Sequence, residues 1–223
     1  MRYSLVIKKA LSKFIQTFRQ GEGEKHMQST KQRGELAMGV SNVKQILGIV
    51  GSPRRGANTE TLVDAIMAGA ADSGASIEKV ILSDLDIAPC RACDHCTRNG
   101  SCIHDDDMKQ VLDFMVKSDI WVIGTPIYWW GPSAQMKAFI DRWYGLDQRV
   151  FQGKKVILVI SMGGGNEHYA RHTIGMFRDI CNYLGMTCVD EVVATGMNGR
   201  KSVRENFEYI KRAREVGTSA VKN

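Results

Sequence analysis

Four cysteines lie within thirteen residues of this chain: Cys90, Cys93, Cys96 and Cys102. Their spacing is Cys-x2-Cys-x2-Cys-x5-Cys, and the whole chain has six cysteines. Thiolates this dense can hold a metal or an iron–sulfur cluster, pair as disulfides, or act as redox-active thiols. Three thiolates at x2 spacing can converge on one cubane, whereas zinc sites with four cysteines more often use two separated pairs. The spacing is compatible with a cluster, and by itself it leaves zinc, disulfides and free thiols open.

A second candidate site follows the first apolar strand pattern. The run from Gly51 to Leu62 is rich in hydroxyl and amide side chains and opens directly into a helix pattern. Free N–H groups at a helix N-terminus bind phosphate. The run lacks both the Gly-x-Gly-x-x-Gly and the Gly-Lys-Ser/Thr motifs, so it fits a monophosphate better than a dinucleotide. A plain helix N-cap after a polar turn is the structural alternative. The candidate phosphate ligands are Ser52, Arg54, Asn58, Thr59 and Thr61.

Two further loops suit a flat ring. Three consecutive aromatic residues stand between Pro126 and Pro132 after the third strand pattern, and such a loop can stack on a planar ligand. Three glycines, Gly163 to Gly165, follow the fourth strand pattern and permit close backbone approach. No Ser-His-Asp set or pair of carboxylates stands out, which argues against hydrolysis.

Alternating strand and helix patterns position these loops. Strands are predicted over 45–50, 77–82, 120–124, 155–161 and 189–194, and helices over 59–71, 105–116, 133–144, 166–184 and 203–216. Continuous apolar strands separated by helices are typical of a parallel sheet covered on both faces. Such sheets bind ligands beyond the carboxyl ends of their strands, where these loops lie.

The charge distribution separates a leader from the domain. Residues 1–44 carry nine Lys/Arg and three Asp/Glu, whereas residues 45–223 carry 21 of each sign. The domain therefore lacks the basic footprint of a nucleic-acid binder, and no apolar run is long enough for an integral membrane segment. We predict that residues 1–44 are a basic, poorly ordered extension without a secretory signal, and that residues 45–223 form one domain with a cysteine loop at 89–104. The cytoplasm, where thiols stay reduced, is the expected location.

Taken in order, these motifs resemble those of the flavodoxin-like NAD(P)H-dependent FMN reductase family over about residues 45–215. The matching motifs are Ser-x-Arg-x3-Asn-Thr after the first strand, Gly-Thr-Pro-Ile-Tyr-Trp after the third, Lys137-x3-Asp141-Arg142 in the next helix, and the glycine loop after the fourth strand. The resemblance implies an α/β fold, a doubly wound five-stranded parallel sheet of order 2-1-3-4-5 with helices on both faces.

The resemblance also implies FMN as cofactor and NAD(P)H as co-substrate. The candidate phosphate ligands named above would hold the FMN phosphate. The isoalloxazine ring would be bordered by Pro126, Ile127, Tyr128 and Trp129, with Gly163, Gly164 and Gly165 on its other side. No residue is assigned as catalytic, because hydride transfer to a flavin needs geometry more than an acid or base. A homodimer or homotetramer is the family expectation.

The cysteine run, followed by Asp105-Asp106-Asp107-Met108, resembles the iron–sulfur flavoprotein branch of this family. That resemblance implies a 4Fe-4S cluster on Cys90, Cys93, Cys96 and Cys102 beside FMN. Electrons would pass between NAD(P)H or a reduced carrier and a small-molecule or protein acceptor. The alternatives are a cluster-free NAD(P)H-dependent FMN/quinone reductase, a non-enzymatic electron-transfer flavoprotein and a zinc-binding interaction protein.

Overall fold

The structure, a computed structural model, describes residues 43–222. Five strands form one parallel sheet of order β2-β1-β3-β4-β5, which confirms the predicted fold class and strand order. The strands are β1 (Gln45–Val50), β2 (Ser76–Ile81), β3 (Ile120–Pro126), β4 (Lys155–Ser161) and β5 (Thr187–Ala194). Because β1 and β3 are neighbours, the chain reverses its direction of travel across the sheet between them, and this is the topological switch point.

Residues 43–222 contain six helices: α1 (Asn58–Asp72), α2 (His95–Asn99), α3 (Met108–Lys117), α4 (Ala134–Asp141), α5 (Arg171–Leu184) and α6 (Phe207–Lys222). Residues of α1 and α6 share one buried apolar cluster with one face of the sheet, and residues of α3, α4 and α5 share the other. Among residues 43–222, no helix has the length and apolarity needed to cross a membrane.

Both faces of the sheet carry helices, as predicted, but the edge strand β2 is covered least. The first four residues of β2 are exposed, and Ile77 keeps 40% of its surface in solvent. An edge strand has a neighbour on one side only, so fewer elements cover it. The central strands β1, β3 and β4 are buried almost throughout.

Several helices begin later than their patterns predict. The helix predicted from residue 105 begins at Met108, and the Asp106 carboxylate accepts the amides of both Met108 and Ala88. The helix predicted over 203–216 runs over Phe207–Lys222. The Val203 amide is bonded to the side chain of Asn58, within a separate 3-10 turn.

Two glycines allow α1 and α6 to touch along their backbones. A Cβ atom on Gly217 would lie 1.9 Å from the carbonyl oxygen of Ile66, and one on Gly69 would lie 2.1 Å from that of Arg214. A larger residue at either position would push the helices apart. The contact fixes α1, whose first turn follows the predicted phosphate loop.

The described chain divides into two compact parts, residues 43–91 with 104–222, and Ala92–Ile103. Within Ala92–Ile103, the Arg98 side chain donates to the Cys93 carbonyl at 2.7 Å, and the Thr97 hydroxyl donates to the Asp94 carbonyl at 2.8 Å. Nearly all of the predicted N-terminal extension, residues 1–42, lies outside the described residues.

Candidate functional site

A cleft opens at the carboxyl ends of the central strands, beside the switch point. Its walls come from the segments that follow β1, β3, β4 and β5. The lining residues are Ser52, Arg54, Ala57, Asn58, Thr59, Pro126, Ile127, Tyr128, Ser161, Met162, Gly163, Met197 and Arg200. The structure thus gathers eight of the twelve predicted cofactor-binding residues, whereas Thr61, Trp129, Gly164 and Gly165 do not line the cleft.

The loop between β1 and α1 forms one wall. Ser52 is buried, and its hydroxyl accepts the Arg54 amide at 3.2 Å. Ala57 is the N-cap residue of α1, and its side chain makes no capping hydrogen bond to the amides of the first turn. A helix that starts with an apolar N-cap keeps its first N–H groups available to an external acceptor. This terminus therefore suits an anion such as a phosphate.

Two of the predicted phosphate ligands are fastened inside the protein. The Asn58 amide nitrogen donates to the Gly199 carbonyl at 2.7 Å, and its amide oxygen accepts the Val203 amide at 3.1 Å. The Thr59 and Ser161 hydroxyl oxygens lie 2.7 Å apart in a buried hydrogen bond. Both side chains fix the loop to other strand ends, and their role as FMN ligands stays a prediction.

The segment after β5 supplies residues that sequence reasoning missed. Arg200 lines the cleft and donates to the Arg55 carbonyl at 3.1 Å. Arg204 lies outside the cleft lining and donates to the Gly56 carbonyl, also at 3.1 Å. One signal for Arg200 was present in the sequence: it follows a glycine after the last strand, and the loops after the parallel strands lie at the same edge of the sheet.

The charges of the cleft are of one sign. Arg54 and Arg200 are both in the lining, and none of the described lining residues is an aspartate or a glutamate. A pair of arginines beside a helix N-terminus without a side-chain cap suits a phosphate dianion. The cleft therefore fits the phosphate of FMN on the chemistry of its own residues.

The aromatic loop after β3 is a tight two-residue hairpin. Tyr128 and Gly131 exchange two backbone hydrogen bonds of 3.0 Å, and Trp129 and Trp130 at the tip have φ of 49° and 60°. Positive φ is unfavourable for bulky residues, so the conformation needs outside support. The buried hydroxyl of Thr173 gives it by donating to the Trp130 carbonyl at 3.0 Å. Tyr128 lines the cleft, whereas Trp129 is 92% exposed.

The three glycines after β4 differ in their surroundings. A Cβ on Gly163 would lie 2.9 Å from the side-chain oxygen of Asn198, and one on Gly164 would lie 2.6 Å from the ring of Tyr169. Gly165 has open space at the same place. Only the first of these glycines lines the cleft, and the second is needed for packing against Tyr169.

The cysteine loop presents thiols rather than an assembled metal site. Cys90, Cys93 and Cys102 are exposed and Cys96 is half-buried. Within residues 43–222, no three His, Cys, Asp or Glu side chains are grouped closely enough to hold a metal ion. The donor types and their spacing fit a cluster, because thiolates are its ligands. Binding would require the loop to gather its side chains around the metal centre.

A model of the NADPH-dependent FMN reductase family matches residues 45–199. The chain belongs to this family. Members of this family are NAD(P)H-dependent FMN oxidoreductases. The match confirms the family resemblance that the loop motifs predicted.

Individual relatives of this chain carry more varied names. An iron-sulfur flavoprotein of Methanosarcina thermophila is 34% identical over 148 residues, which span 66% of this chain and 78% of that protein. An FMN-dependent NADH:quinone oxidoreductase of Methylorubrum populi is 33% identical over 118 residues, 46% of this chain and 58% of that protein. A solved NAD(P)H:quinone oxidoreductase of Methanothermobacter marburgensis superposes with a TM-score of 0.64 at 20% identity, over 80% of this chain and 96% of that one, and shows the shared fold.

An acidic residue, Glu60, supports the loop between β1 and α1 from within the protein. Glu60 is buried, and its carboxylate accepts the Gly56 amide at 2.6 Å. Lys79 lies 3.2 Å and Arg55 3.4 Å from the same carboxylate. Burial alone would raise the pKa of Glu60, but the hydrogen bonds from Gly56 and Lys79 and the charges of Lys79 and Arg55 outweigh it and hold that pKa below its usual range.

We expect the Glu60→Gln variant to lose about 2 kcal/mol of stability at about pH 7, because a charge-assisted hydrogen-bond network is weakened. The pKa of Glu60 is lower in the folded protein than in the unfolded chain, where it is about 4.3. The charged side chain therefore contributes fully to the free energy of unfolding above that unfolded pKa, and its contribution is lost as the pH falls through the folded pKa. The difference in the free energy of unfolding between wild type and variant, measured by urea unfolding, should therefore shrink toward about pH 3. Glu78→Gln, on the exposed part of β2, is the control. A difference that stays constant with pH contradicts the prediction.

Proposed function

We propose that this protein binds FMN in the cleft, with the phosphate at the N-terminus of α1. The observation that carries the proposal is the cleft lining, which holds Arg54 and Arg200 and no carboxylate among the described residues. Membership of the FMN reductase family supports the choice of flavin. Ser52, Asn58, Thr59 and Thr61 are the further predicted phosphate-side residues. The Thr61 hydroxyl lies outside the cleft lining, 3.4 Å from Arg204 Nε.

The ring of FMN is assigned to the other end of the cleft. Pro126, Ile127 and Tyr128 line it after β3, and Gly163 lines it after β4. In this proposal Trp129, Gly164 and Gly165 act indirectly, because they shape the two loops that border the ring. The aromatic hairpin would orient the ring and keep water from one side of it, and the backbone at Gly163 can approach closely because it carries no side chain.

Bound FMN supplies the redox chemistry: it accepts two electrons as a hydride and can release them singly. The residues of this chain bind its phosphate, orient its ring and shape access to it. NAD(P)H is the proposed donor, and a small-molecule or protein acceptor takes the electrons. A quinone is a reasonable probe, because the Methylorubrum populi relative is named a quinone oxidoreductase.

We further propose that Cys90, Cys93, Cys96 and Cys102 ligate a 4Fe-4S cluster. Their spacing supports it, and so does the name iron-sulfur flavoprotein carried by the Methanosarcina thermophila relative. Ala92 and Asp94, which stand between successive cysteines, have left-handed φ of 49° and 53°. Non-glycine residues in that region are strained, and such strain is often retained for function. A homodimer or homotetramer in the cytoplasm completes the proposal.

The second candidate is a cluster-free FMN/quinone reductase whose cysteines stay thiols. The separation of the thiols in the described residues favours it. The two candidates share the FMN site and differ only at the cysteine loop, so one preparation can distinguish them.

Anaerobic purification followed by flavin and metal quantification tests both. We expect about one FMN per chain and, for the cluster, about four iron ions with matching sulfide. The protein should oxidise NADH or NADPH when a quinone is supplied. FMN without iron selects the cluster-free reductase, and FMN without oxidation of either nucleotide selects an electron carrier. Zinc without flavin contradicts the proposal.

A further inference from the structure

A buried ion pair lies where the two ends of the cysteine loop meet. The side chains of Arg142, just after α4, and Asp106, just before α3, are 3% and 6% exposed. The two guanidinium nitrogens lie 2.5 Å and 3.1 Å from the two carboxylate oxygens. This paired geometry requires the planar fork of an arginine, because a lysine offers a single charged nitrogen.

The same pair holds the backbone on both sides of the loop. Arg142 donates to the Ala88 carbonyl at 2.9 Å, and the Asp106 carboxylate accepts the Ala88 amide at 3.1 Å. The other carboxylate oxygen accepts the Met108 amide at 3.2 Å. Both backbone polar groups of Ala88, two residues before Cys90, are therefore held by side chains from elsewhere in the chain.

A second connection lies beside the first. The Asp107 amide donates to the Asp86 carbonyl at 3.0 Å, and the Asp107 carboxylate accepts the Asp86 amide at 2.7 Å. Residues 86–88 and 106–107 thus run side by side. We call this set of residues the loop clamp: Asp86, Ala88, Asp106, Asp107 and Arg142.

Stability alone does not account for a buried pair of this kind. Desolvation offsets much of the attraction between the charges, and a well-packed apolar pair of similar size is often as stable. A directional ion pair supplies a fixed geometry that apolar contacts do not. Fixed ends also reduce the conformational entropy that a ligand must overcome when it gathers side chains along a loop.

We infer that Arg142 and Asp106 are positioning residues that fix the two ends of the cysteine loop, so that one metal centre can gather its thiols. They act through the backbone at Ala88 and Met108. The inference rests on the proposed function where it names a metal centre, while the contacts of the clamp are independent of it.

The test compares Arg142→Lys with Arg149→Lys in the full chain purified anaerobically. Arg149 forms a similar two-point pair with Asp147, with Nε on one carboxylate oxygen and Nη2 on the other, but that pair is exposed, with side chains 55% and 40% in solvent. In Arg142→Lys we expect amide exchange at Ala88 and Met108 to rise about tenfold and iron content to fall about threefold or more, with FMN content unchanged. In Arg149→Lys none of the three should change.

Unchanged amide exchange at Ala88 would overturn the clamp, and faster exchange with full iron content would overturn its positioning role. If the wild type holds FMN but no iron, the cluster in the proposed function is rejected. The loop clamp can still be tested in that case. Alkylation of the exposed Cys93 and Cys102 then serves as the measurement. A rate changed about threefold or more in Arg142→Lys supports the positioning of the loop, and an unchanged rate overturns it.

Discussion

Replacing Arg54 and Arg200 together with alanine should weaken FMN binding about 100-fold, because a charge-assisted hydrogen bond to phosphate contributes about 1.5 kcal/mol and each 1.4 kcal/mol is tenfold in affinity. Both side chains line the cleft, and both are exposed, so the lower end of the usual range applies. Fluorescence titration of the apoprotein with FMN measures the effect.

Riboflavin separates a phosphate role from a general loss of structure. It has the ring of FMN without the phosphate, so its affinity should change little in the double variant. The wild type should bind FMN more tightly than riboflavin, and this preference should nearly disappear in the double variant. If riboflavin binding falls as much as FMN binding, the arginines support the loop instead of the phosphate, which the contact of Arg200 with the Arg55 carbonyl would then explain.

A matched control removes the same charge elsewhere. Arg178 and Arg212 form ion pairs with Glu191 and Asp190 and do not line the cleft. The Arg178→Ala/Arg212→Ala double variant changes the net charge equally, and we expect its FMN affinity to stay within about twofold of wild type, because surface ion pairs contribute little and distant charges are screened.

The sheet and the polar loop before α1 could be predicted because their signals are local. The five strands are short apolar runs, and a helix pattern follows the polar loop directly in sequence. The family resemblance then supplied the strand order. Two strands, Gln45–Val50 and Lys155–Ser161, have the predicted bounds, since continuous burial leaves few alternatives for their ends.

Residues brought to the site by tertiary structure gave no such signal. Asn58 and Gly199 are 141 positions apart, and the approach of Arg200 to the cleft depends on the path of the chain after β5. The left-handed turn at Trp129 and Trp130 was equally hidden, because such two-residue turns usually carry asparagine and glycine. A donor from Thr173 compensates for the unusual sequence there.

The Cys93→Ala substitution should reduce the iron content of anaerobically purified protein from about four ions per chain to less than about one. A cubane that loses one of its thiolate ligands becomes exposed to solvent and is readily lost. FMN content should not change, because Cys93 does not line the cleft. Iron and sulfide assays, with the absorption spectrum of the same samples, measure both cofactors at once.

Cys188→Ala is the matched control for this substitution. Cys188 lies on β5, and burial, the largest cause, raises the pKa of its thiol to about 11, so it is a poor source of the thiolate that iron requires. Its removal should leave iron and FMN unchanged. Full iron content in Cys93→Ala would exclude Cys93 as a ligand. If the wild type contains FMN and no iron, the exposed thiols of this loop belong to a cluster-free reductase, and their reactivity toward oxidants becomes the property to measure.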